Sequence, residues 1–355
     1  MAKLLVGGAG GAPSEGVIFS LMQSRSKHHV VGMGSDPSDL ILSQAKEAHL
    51  IPYANHPDYE EKLLSLISKV RPDLVHFQND AEIFVVSKFR EKIEELGTRV
   101  FMPEHAVIDT CVHKQMSYLA FKKAGVVVPH NQMLTNPKDL QNAFATLRRG
   151  SEPIWLRSTA IGGGGAGSLS TSSFELANSW IDHHKGWGEF SAAEHLKGRT
   201  VTWTSIWYEG TLRVAQTRRR QGWVHGNRSV SGVTGVTKIG VTDSDPQVDE
   251  VAISAVLAVS AAPHGIFSVD MCYDAEDIPN PTEINISRFF TTIRFFTEAG
   301  LNLPEMFVDL ALTGSCDAIG EKLNPLPNGL GWFRGMDTEP LLMRISDFES
   351  RFPGL

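Results

Sequence analysis

The chain has 355 residues, 42% of them hydrophobic and 21% charged, which is enough to bury a sizeable core in two or three subdomains. Its net charge of -7 and pI near 6.0 exclude the global positive field that nucleic-acid-binding proteins use. The one dense basic run, "RRR" at 218–220, is too short for such a surface but can pair with a phosphate or a carboxylate.

The cysteine content and the apolar runs bear on location. Cys111, Cys272 and Cys316 are odd in number and show no CxxC spacing, so neither a disulfide framework nor a zinc site is expected. No apolar run reaches the ~18 residues of a membrane span, and the N-terminal apolar stretch is too short for a signal peptide. The sequence therefore predicts a cytoplasmic protein with small-molecule partners, without nucleic acid or membrane.

Residues 1–110 alternate short apolar runs with amphipathic segments, which is typical of strands and helices in a parallel sheet. Strands are predicted at "KLLVGGAGG", "HHVVGMGSD", "PDLVHFQ" and "RVFMP". Helices are predicted at "GVIFSLMQS", at "EKLLSLISKV" and, as one long helix, at "EIFVVSKFREKIEELG". This order predicts an α/β fold that begins with a doubly wound, Rossmann-like unit.

The first glycine turn does not complete a dinucleotide-binding fingerprint. Pro13 stands where the third glycine of G-x-G-x-x-G is expected, although Asp36 follows the second strand as a ribose-binding acid would. NAD(P) binding stays open beside two alternatives, a turn used for packing and a turn that contacts a small substrate.

The next segment predicts a helix from Lys114 to Lys123, which Gly125 ends, and then a strand at "VVVP". A helix near 137–149 and the strand "PIWLR" follow, and then a glycine run. The run is flanked by strand-like segments, which favours a hairpin loop over an interdomain linker. Such a loop can cradle a phosphate with its backbone N–H groups or can simply be mobile. Its central glycines are Gly162, Gly163, Gly164 and Gly165.

Residues after 190 predict a hairpin of two long strands that turns at Glu209 and Gly210. "VDEVAISAVLAVSAAP" and "MFVDLALTG" predict helices, and "GIFSVDMCYD" and "IPNPTEINIS" predict a second pair of strands. In that pair Asp270, Glu283 and Asn285 can point to one face, because residues two apart on a strand share a side. Oxygen ligands of these types suit Mg²⁺ that also holds nucleotide phosphates, whereas the alternative is an exposed polar strand.

The order of these features resembles the ATP-grasp superfamily, and in particular a single ATP-grasp module of the carbamoyl-phosphate synthase large chain. The pieces that carry the resemblance are "PIWLRSTAIGGGGAG", "PTEINISRFF" and "LNLPEMFVDLALTG". The resemblance implies a Rossmann-like pre-ATP-grasp domain (1–110) followed by a two-lobed α+β ATP-grasp fold. The latter comprises a small lobe with the glycine-rich lid (111–190), a C-terminal lobe with the metal site (191–320), and a tail that packs on the core (321–355).

The resemblance also implies a role for individual residues. Lys114 and Arg157 would bind the phosphates of ATP, and the four central glycines would form a lid over them. Glu194 and Leu196 would hold adenine at the hinge between the lobes. Asp270, Glu283 and Asn285 would hold two Mg²⁺ ions, which Mn²⁺ can replace.

Two departures from the family pattern stand out. In the family pattern an arginine is common two residues after the metal-binding asparagine; here Ser287 occupies that position and Arg288 follows it. A shift of one residue along a strand turns the side chain to the opposite face, so Arg288 reaches the site only if the strand ends or bulges before it. Arg199 and its neighbours lie where several relatives have a carboxylate for the ribose.

The implied activity is ATP- and Mg²⁺-dependent ligation of a carboxylic acid to an amine through an acylphosphate, with Arg288 and Arg220 as catalytic residues. Arg218, Arg220 or Arg228 would bind the acid in a pocket lined by Trp223 and His225; the alternative is a surface charge run beside two rings that only pack. Three alternatives stay open: a carboxylase that activates bicarbonate, an NAD(P)-binding oxidoreductase, and a nucleotide-binding regulator without turnover. A homodimer is common among similar enzymes.

Overall fold

The N-terminal part of the chain folds around a parallel sheet. The computed structural model describes residues 1–148, 150–159, 167–316, 321–336 and 338–351. Strands and helices alternate here: β1 (Lys3–Gly7), α1 (Ala12–Met22), β2 (His29–Gly34), α2 (Pro37–Leu40), β3 (Glu47–Leu50), α3 (Tyr59–Val70), β4 (Leu74–His76), α4 (Asp80–Val86), α5 (Arg90–Glu95), β5 (Arg99–Val100) and α6 (His105–Val112). The strand order is β3-β2-β1-β4-β5, and every pairing is parallel, which confirms the Rossmann-like unit.

The prediction of one long helix after β4 is wrong in one respect, because the structure divides this segment into two helices, α4 and α5. The chain turns between Val86 and Arg90, and Ser87 Oγ donates to the carbonyl of Phe84 in the turn (2.8 Å). Val86 and Phe89 are both buried. Residues three apart share one face of a continuous helix, so the apolar spacing of the sequence gives no sign of this break.

The small lobe has a four-stranded antiparallel sheet and a core of its own. Helix α7 (Lys114–Lys123) precedes this lobe and packs through Phe121 in the largest apolar cluster. The lobe contains β6 (Asn131–Leu134), α8 (Pro137–Leu147), β7 (Ile154–Ser158), β8 (Leu169–Thr171), α9 (Phe174–His183) and β9 (Phe190–Glu194), with the strand order β6-β9-β7-β8. Its core, which includes Leu134, Leu156 and Phe190, forms a cluster separate from the two larger ones. This separate core makes the lobe a packing unit in its own right.

Two local predictions for residues 114–129 have different outcomes. The helix Lys114–Lys123 is confirmed, and Gly125 follows it with a φ of 76°, a conformation that glycine adopts without strain. The strand predicted at "VVVP" is wrong, because β6 begins only after Pro129. Proline has no backbone N–H to donate to a strand partner.

A seven-stranded antiparallel sheet forms the large lobe. It contains β10 (Thr200–Tyr208), β11 (Thr211–Arg220), β12 (Ile239–Asp243), α10 (Pro246–Val259), β13 (Gly265–Tyr273), β14 (Pro279–Ile286), α11 (Ile293–Glu298), α12 (Leu303–Thr313), β15 (Leu330–Phe333), β16 (Leu341–Arg344) and α13 (Ile345–Arg351). The order is β14-β13-β10-β11-β12-β15-β16, so residues after 321 add two strands to the sheet rather than only packing on it. Both predicted hairpins, β10–β11 and β13–β14, are confirmed.

Asn302 and Gly314 delimit the last long helix, α12. Asn302 Oδ1 accepts from the N–H of Glu305 (3.1 Å), Pro304 lies in the first turn, and Gly314 ends the helix with a φ of 72°. Its residues Leu303, Phe307 and Leu310 pack in the cluster that joins the N-terminal sheet to the large lobe. None of the helices that the structure describes is both long and apolar enough to cross a bilayer.

Candidate active site

The oxygen ligands predicted from the sequence converge on β13 and β14. Asp270 lies directly opposite Glu283, and the register shifts by a bulge immediately after Asp270. Asn285 Nδ2 donates to Asp270 Oδ2 at 3.0 Å. The three side chains therefore form one polar group at the centre of the hairpin.

The chemistry of this group fits Mg²⁺. No cluster of three histidine, cysteine, aspartate or glutamate side chains that could hold a metal occurs among the described residues. The set here is two carboxylates and an amide, all oxygen donors, and Asn285 Oδ1 keeps a second lone pair beside the one that Arg288 uses. Mg²⁺ commonly takes only one or two carboxylates from the protein when phosphates complete its coordination.

Arg288 reaches this group because the backbone leaves the extended conformation one residue earlier. Strand β14 ends at Ile286, and buried Ser287 adopts a φ of 56° in the left-handed region. Arg288 then points back, and its Nη2 donates to Asn285 Oδ1. The reversal expected from strand alternation is thus avoided by the bend at Ser287.

The residue that anchors Arg288 comes from the N-terminal domain. Asp80, the first residue of α4 after the carboxyl end of β4, accepts from Arg288 Nε at 2.6 Å and from Arg288 Nη2 at 3.1 Å. Burial lowers the pKa of Arg288, but Asp80 outweighs it and raises that pKa above its ordinary value. Sequence reasoning missed Asp80; its signal was a polar residue just after a parallel strand, where ligand sites of α/β folds lie.

Two predicted phosphate-binding cations flank Glu283. Lys114, at the start of α7, places Nζ 3.9 Å from Glu283 Oε2. Arg157, on β7 of the small lobe, donates from Nη2 to the carbonyl of Thr282 at 3.0 Å. Burial lowers the pKa of Arg157, and the charge of Glu283 partly offsets this. Both positive charges therefore lie beside the predicted metal ligands.

Arg220, predicted to be catalytic, lies on the other side of Asp270. Its Nη2 is 3.5 Å from Asp270 Oδ1, and its guanidinium stacks over the ring of Trp223 at 3.9 Å from the centroid. Arg228, one of the alternatives for binding the acid, is exposed. Of the three arginines suggested for that role, Arg220 is in contact with the predicted metal ligands.

Thr202 is a second residue that sequence reasoning missed. It pairs across the sheet with Asp270 on one side and Arg218 on the other. Its Oγ1 donates to Asp270 Oδ1 at 2.5 Å and accepts from Arg218 Nη2 at 2.6 Å and Arg220 Nη2 at 3.3 Å. A hydroxyl has one proton, and guanidinium groups only donate, so the proton of Thr202 must point to Asp270.

Replacing Thr202 by valine should raise the Mg²⁺ concentration for half-maximal activity by about 10–100-fold, the usual range for residues that orient a metal ligand. Thr202→Ser keeps the hydroxyl and should stay close to wild type. Both variants are checked in two ways. One assay measures how ADP release depends on Mg²⁺ concentration, and electron paramagnetic resonance measures Mn²⁺ binding directly. Equal metal binding by the valine and serine variants would contradict this role.

The predicted adenine hinge follows β9. The backbone N–H of Glu194 donates to the carbonyl of His130, and its carboxylate accepts from the N–H of His130, each at 3.0 Å. The carbonyl of Leu196 lies 3.6 Å from Cys272 Sγ at the end of β13. The segment thus connects the small lobe to the large sheet. Arg199, beside it, stacks over the ring of Tyr273 and pairs with Asp245 at 3.0 Å.

The glycine run itself, Gly162, Gly163, Gly164 and Gly165, lies outside the described residues. Its flanks form the expected hairpin, with Leu156 of β7 opposite Leu169 of β8. Ser168 Oγ donates to Ser231 Oγ at 2.9 Å, so the segment after β11 touches the base of this hairpin.

The N-terminal glycine turn does not offer a pyrophosphate site. Glu15 Oε1 accepts from the N–H of Gly10 at 2.8 Å, and the N–H of Gly11 donates to the carbonyl of Gly8 at 3.1 Å. A carboxylate thus occupies the helix N-terminus that a dinucleotide would need. Asp36 caps α2 by accepting from the N–H of Ser38. These contacts favour the packing alternative over NAD(P) binding.

Glu82, two residues after Asp80, is a buried carboxyl group behind the site. It accepts from Tyr59 Oη at 3.0 Å and from Asn79 Nδ2 at 2.5 Å. Burial raises the pKa of Glu82 from 4.5 to about 7, although both hydrogen bonds lower it. Between these values the folded chain holds a proton that the unfolded chain releases, so the contribution of Glu82 to stability falls as the pH rises through this window.

Glu82→Gln is uncharged at every pH and should gain stability relative to wild type as the pH rises from about 5 to about 8, by on the order of 3 kcal/mol at most. Buried His76, whose pKa is lowered to about 4, has an opposite pH dependence, but it is present in both proteins and cancels in the comparison. Urea unfolding at several pH values measures the difference. A difference that does not change with pH would refute the assignment.

Comparison with known proteins identifies the fold. No family model and no curated protein matches the sequence. Among solved structures, an L-amino acid ligase from Bacillus licheniformis matches at 10% identity over 94% of this chain and 79% of its own, with a TM-score of 0.68. Carboxyaminoimidazole ribonucleotide synthase from Aspergillus clavatus, complexed with ATP, matches at 15% identity over 94% and 81%, also at 0.68.

A third match is the biotin carboxylase domain of 2-oxoglutarate carboxylase from Hydrogenobacter thermophilus, solved as a dimer with MgADP, ADP and bicarbonate (14% identity, 94% and 74% coverage, TM-score 0.68). These are ATP-grasp enzymes. The chain therefore has the ATP-grasp fold, preceded by a Rossmann-like domain, as the sequence predicted.

Proposed function

We propose that the protein is an ATP- and Mg²⁺-dependent ligase that joins a carboxylic acid to an amine. One observation carries the proposal: in an ATP-grasp fold, Asp270, Glu283 and Asn285 form one group on the large sheet with Lys114 and Arg157 beside them. Such a group combines oxygen ligands for Mg²⁺ with fixed positive charge for the phosphates of ATP.

The reaction proceeds in two steps. The carboxylate of the acid attacks the γ-phosphorus of ATP, the bond to ADP breaks, and an acylphosphate forms. The amine then attacks the acyl carbon, phosphate leaves, and the nitrogen loses a proton to give the amide. Bound Mg²⁺ neutralises phosphate charge and orients the γ-phosphoryl group. No covalent enzyme nucleophile is needed, because positioning and fixed charge carry the catalysis.

Individual residues divide this work. Lys114 at the start of α7 and Arg157 on β7 hold the phosphates, and Glu194 and Leu196 bind adenine at the hinge. Gly162, Gly163, Gly164 and Gly165 cover the phosphates. Arg220 binds the reacting carboxylate beside Asp270, and Arg288, held by Asp80, stabilises the charge that develops on the acyl group.

A carboxylase is the second candidate, with bicarbonate as the acid in the same first step. Two of the matched structures favour it, since one is a carboxylase domain with bound bicarbonate and another makes a carboxyamino product. Incubation with ATP, Mg²⁺ and a matrix of acids and amines, followed by ADP release, tests both. If bicarbonate is the only acid that supports ADP release, the protein is a carboxylase. If no pair of acid and amine releases ADP, both the ligase and the carboxylase proposals are refuted.

A further inference from the structure

Three neighbouring arginines lie on the face of the large sheet that carries the predicted metal ligands. Residues directly opposite each other in antiparallel strands lie on the same face. Arg218 is opposite Thr202, which is opposite Asp270. Arg220 is opposite Gly240 of β12, and Gly240 is opposite Trp332 of β15, so Arg334, two residues after Trp332, continues on this face. Arg218, Arg220 and Arg334 are called the arginine face below.

Gly240 lets the arginine face extend across β12. A Cβ atom at this position would lie 2.9 Å from Arg218 Cδ and 3.3 Å from its Cγ. Because glycine leaves that space free, the Arg218 side chain lies over the strand that separates β11 from β15. The positive charge is thereby spread from beside Asp270 toward the far side of the sheet.

The charge of Arg218 has no direct counter-ion among the described residues. Its side chain is 1% exposed and bonds only hydroxyl groups, those of Thr202, Thr237 and Thr292, while its Nε has no partner. Burial, together with nearby Arg220, lowers its pKa to about 9. A buried cation without an anion is costly, and few structures retain one without a reason.

Arg334 shows the same deficit. Its Nη2 donates to the carbonyl of Thr291, its Nη1 is buried without a partner, and no carboxylate of the described residues lies within ion-pair distance. Neighbouring Arg294 differs, because it pairs with Glu298 and Glu339 at 2.7 and 2.9 Å. The two arginines of this face that lack counter-ions are thus Arg218 and Arg334.

We infer that the acid substrate is polyanionic: it carries a second carboxylate or a phosphate, which binds the arginine face at Arg334. One carboxylate cannot serve both ends of this face. Arg220 is at Asp270, whereas Arg334 lies two strands away, roughly 10 Å at the usual strand spacing. The reacting carboxylate binds Arg220, and the second anionic group neutralises Arg334 and so offsets the repulsion that Arg334 exerts on buried Arg218. The inference rests on the proposed function.

Matched acids separate the sources of the second charge. Butyrate and succinate differ by one carboxylate, and serine and O-phosphoserine differ by one phosphate. Calorimetric titration of each acid into the protein with Mg²⁺ and a non-hydrolysable ATP analogue measures binding without turnover. We expect at least one dianionic acid to bind about 10–100-fold more tightly than its matched partner, the range for a hydrogen-bonded charge pair.

Arg334→Leu should abolish this preference, Arg334→Lys should keep part of it, and neither should change the affinity for the ATP analogue. Arg344→Leu is the control, because Arg344 is exposed and lies at the far end of the same pair of strands. Circular dichroism establishes that each variant is folded. Equal affinities within both acid pairs, or a preference that survives Arg334→Leu, would overturn the inference.

This outcome is distinct from failure of the proposed function. If no acid and amine pair yields ADP, the ligase proposal fails whatever the binding result. If ADP forms equally well with singly charged acids, and these bind as tightly as the dianions, the ligase proposal stands and the polyanionic substrate is wrong.

Discussion

Replacing Glu283 by glutamine should lower ADP-forming turnover by about 10²–10³-fold at saturating ATP, the range for removing one group that stabilises transition-state charge. Glutamine keeps the size of the side chain and one oxygen but removes the negative charge that balances Lys114 and attracts Mg²⁺. The fold should persist, because the Glu283 side chain is about one-third exposed (32%).

A coupled assay of ADP release across a Mg²⁺ titration measures this effect. Glu250→Gln is the matched control, since Glu250 is exposed on α10. Melting temperatures of both variants should lie close to that of the wild type. Wild-type turnover in Glu283→Gln at every Mg²⁺ concentration would remove Glu283 from the metal site.

Asp80→Asn should destabilise the protein by about 3 kcal/mol and slow turnover by about a hundredfold. The Asp80–Arg288 pair makes two charge-assisted bonds, and its side chains are only 20% and 16% exposed. Losing the charge of Asp80 leaves largely buried Arg288 without its direct counter-ion, since Glu283 and Asp270 act on it only from farther away. It also frees Arg288 from the geometry in which it contacts Asn285. Stability and activity should therefore fall together.

A double-mutant cycle with Arg288→Met distinguishes this coupling from a general loss of packing. The combined variant should be no less stable than Asp80→Asn, because its buried unpaired charge is gone. Asp39→Asn serves as the control, since Asp39 is exposed on α2. Additive losses of stability in the cycle, or an Asp80→Asn protein with normal turnover, would show that the pair does not couple the domain to the site.

Local sequence patterns predicted most of the strands and their pairing. The alternation in "GIFSVDMCYD" and "PTEINIS" determined that Glu283 and Asn285 share a face, and the register then brought Asp270 opposite Glu283. These predictions succeed because the side chains of a strand alternate between its two faces with a fixed period of two residues. The division of "EIFVVSKFREKIEELG" was not predictable in this way, because its buried apolar residues keep a helical period across the break between Val86 and Arg90.

Contacts between residues distant in the sequence were beyond any local pattern. Asp80 and Arg288 are 208 residues apart, and the link depends on the N-terminal domain lying against the end of β14. Thr202 has no distinguishing sequence pattern, and its role follows from the position of its hydroxyl between Arg218 and Asp270. The position of Arg334 on the arginine face was likewise not predictable from local sequence, since it depends on the order of strands β12 and β15 in the sheet.

The sequence by itself predicted the parallel and antiparallel sheets and the shared face of Asp270, Glu283 and Asn285, because these depend on residue chemistry and short-range periodicity. The prediction that Lys114 and Arg157 lie near this group came from the family resemblance. The tertiary structure decided how Arg288 reaches Asn285, since only the left-handed bend at Ser287 turns it inward. It also decided that Glu15 occupies the N-terminal turn and that three arginines share one face. These outcomes depend on backbone bends and strand register, which bring together charges that the sequence places far apart.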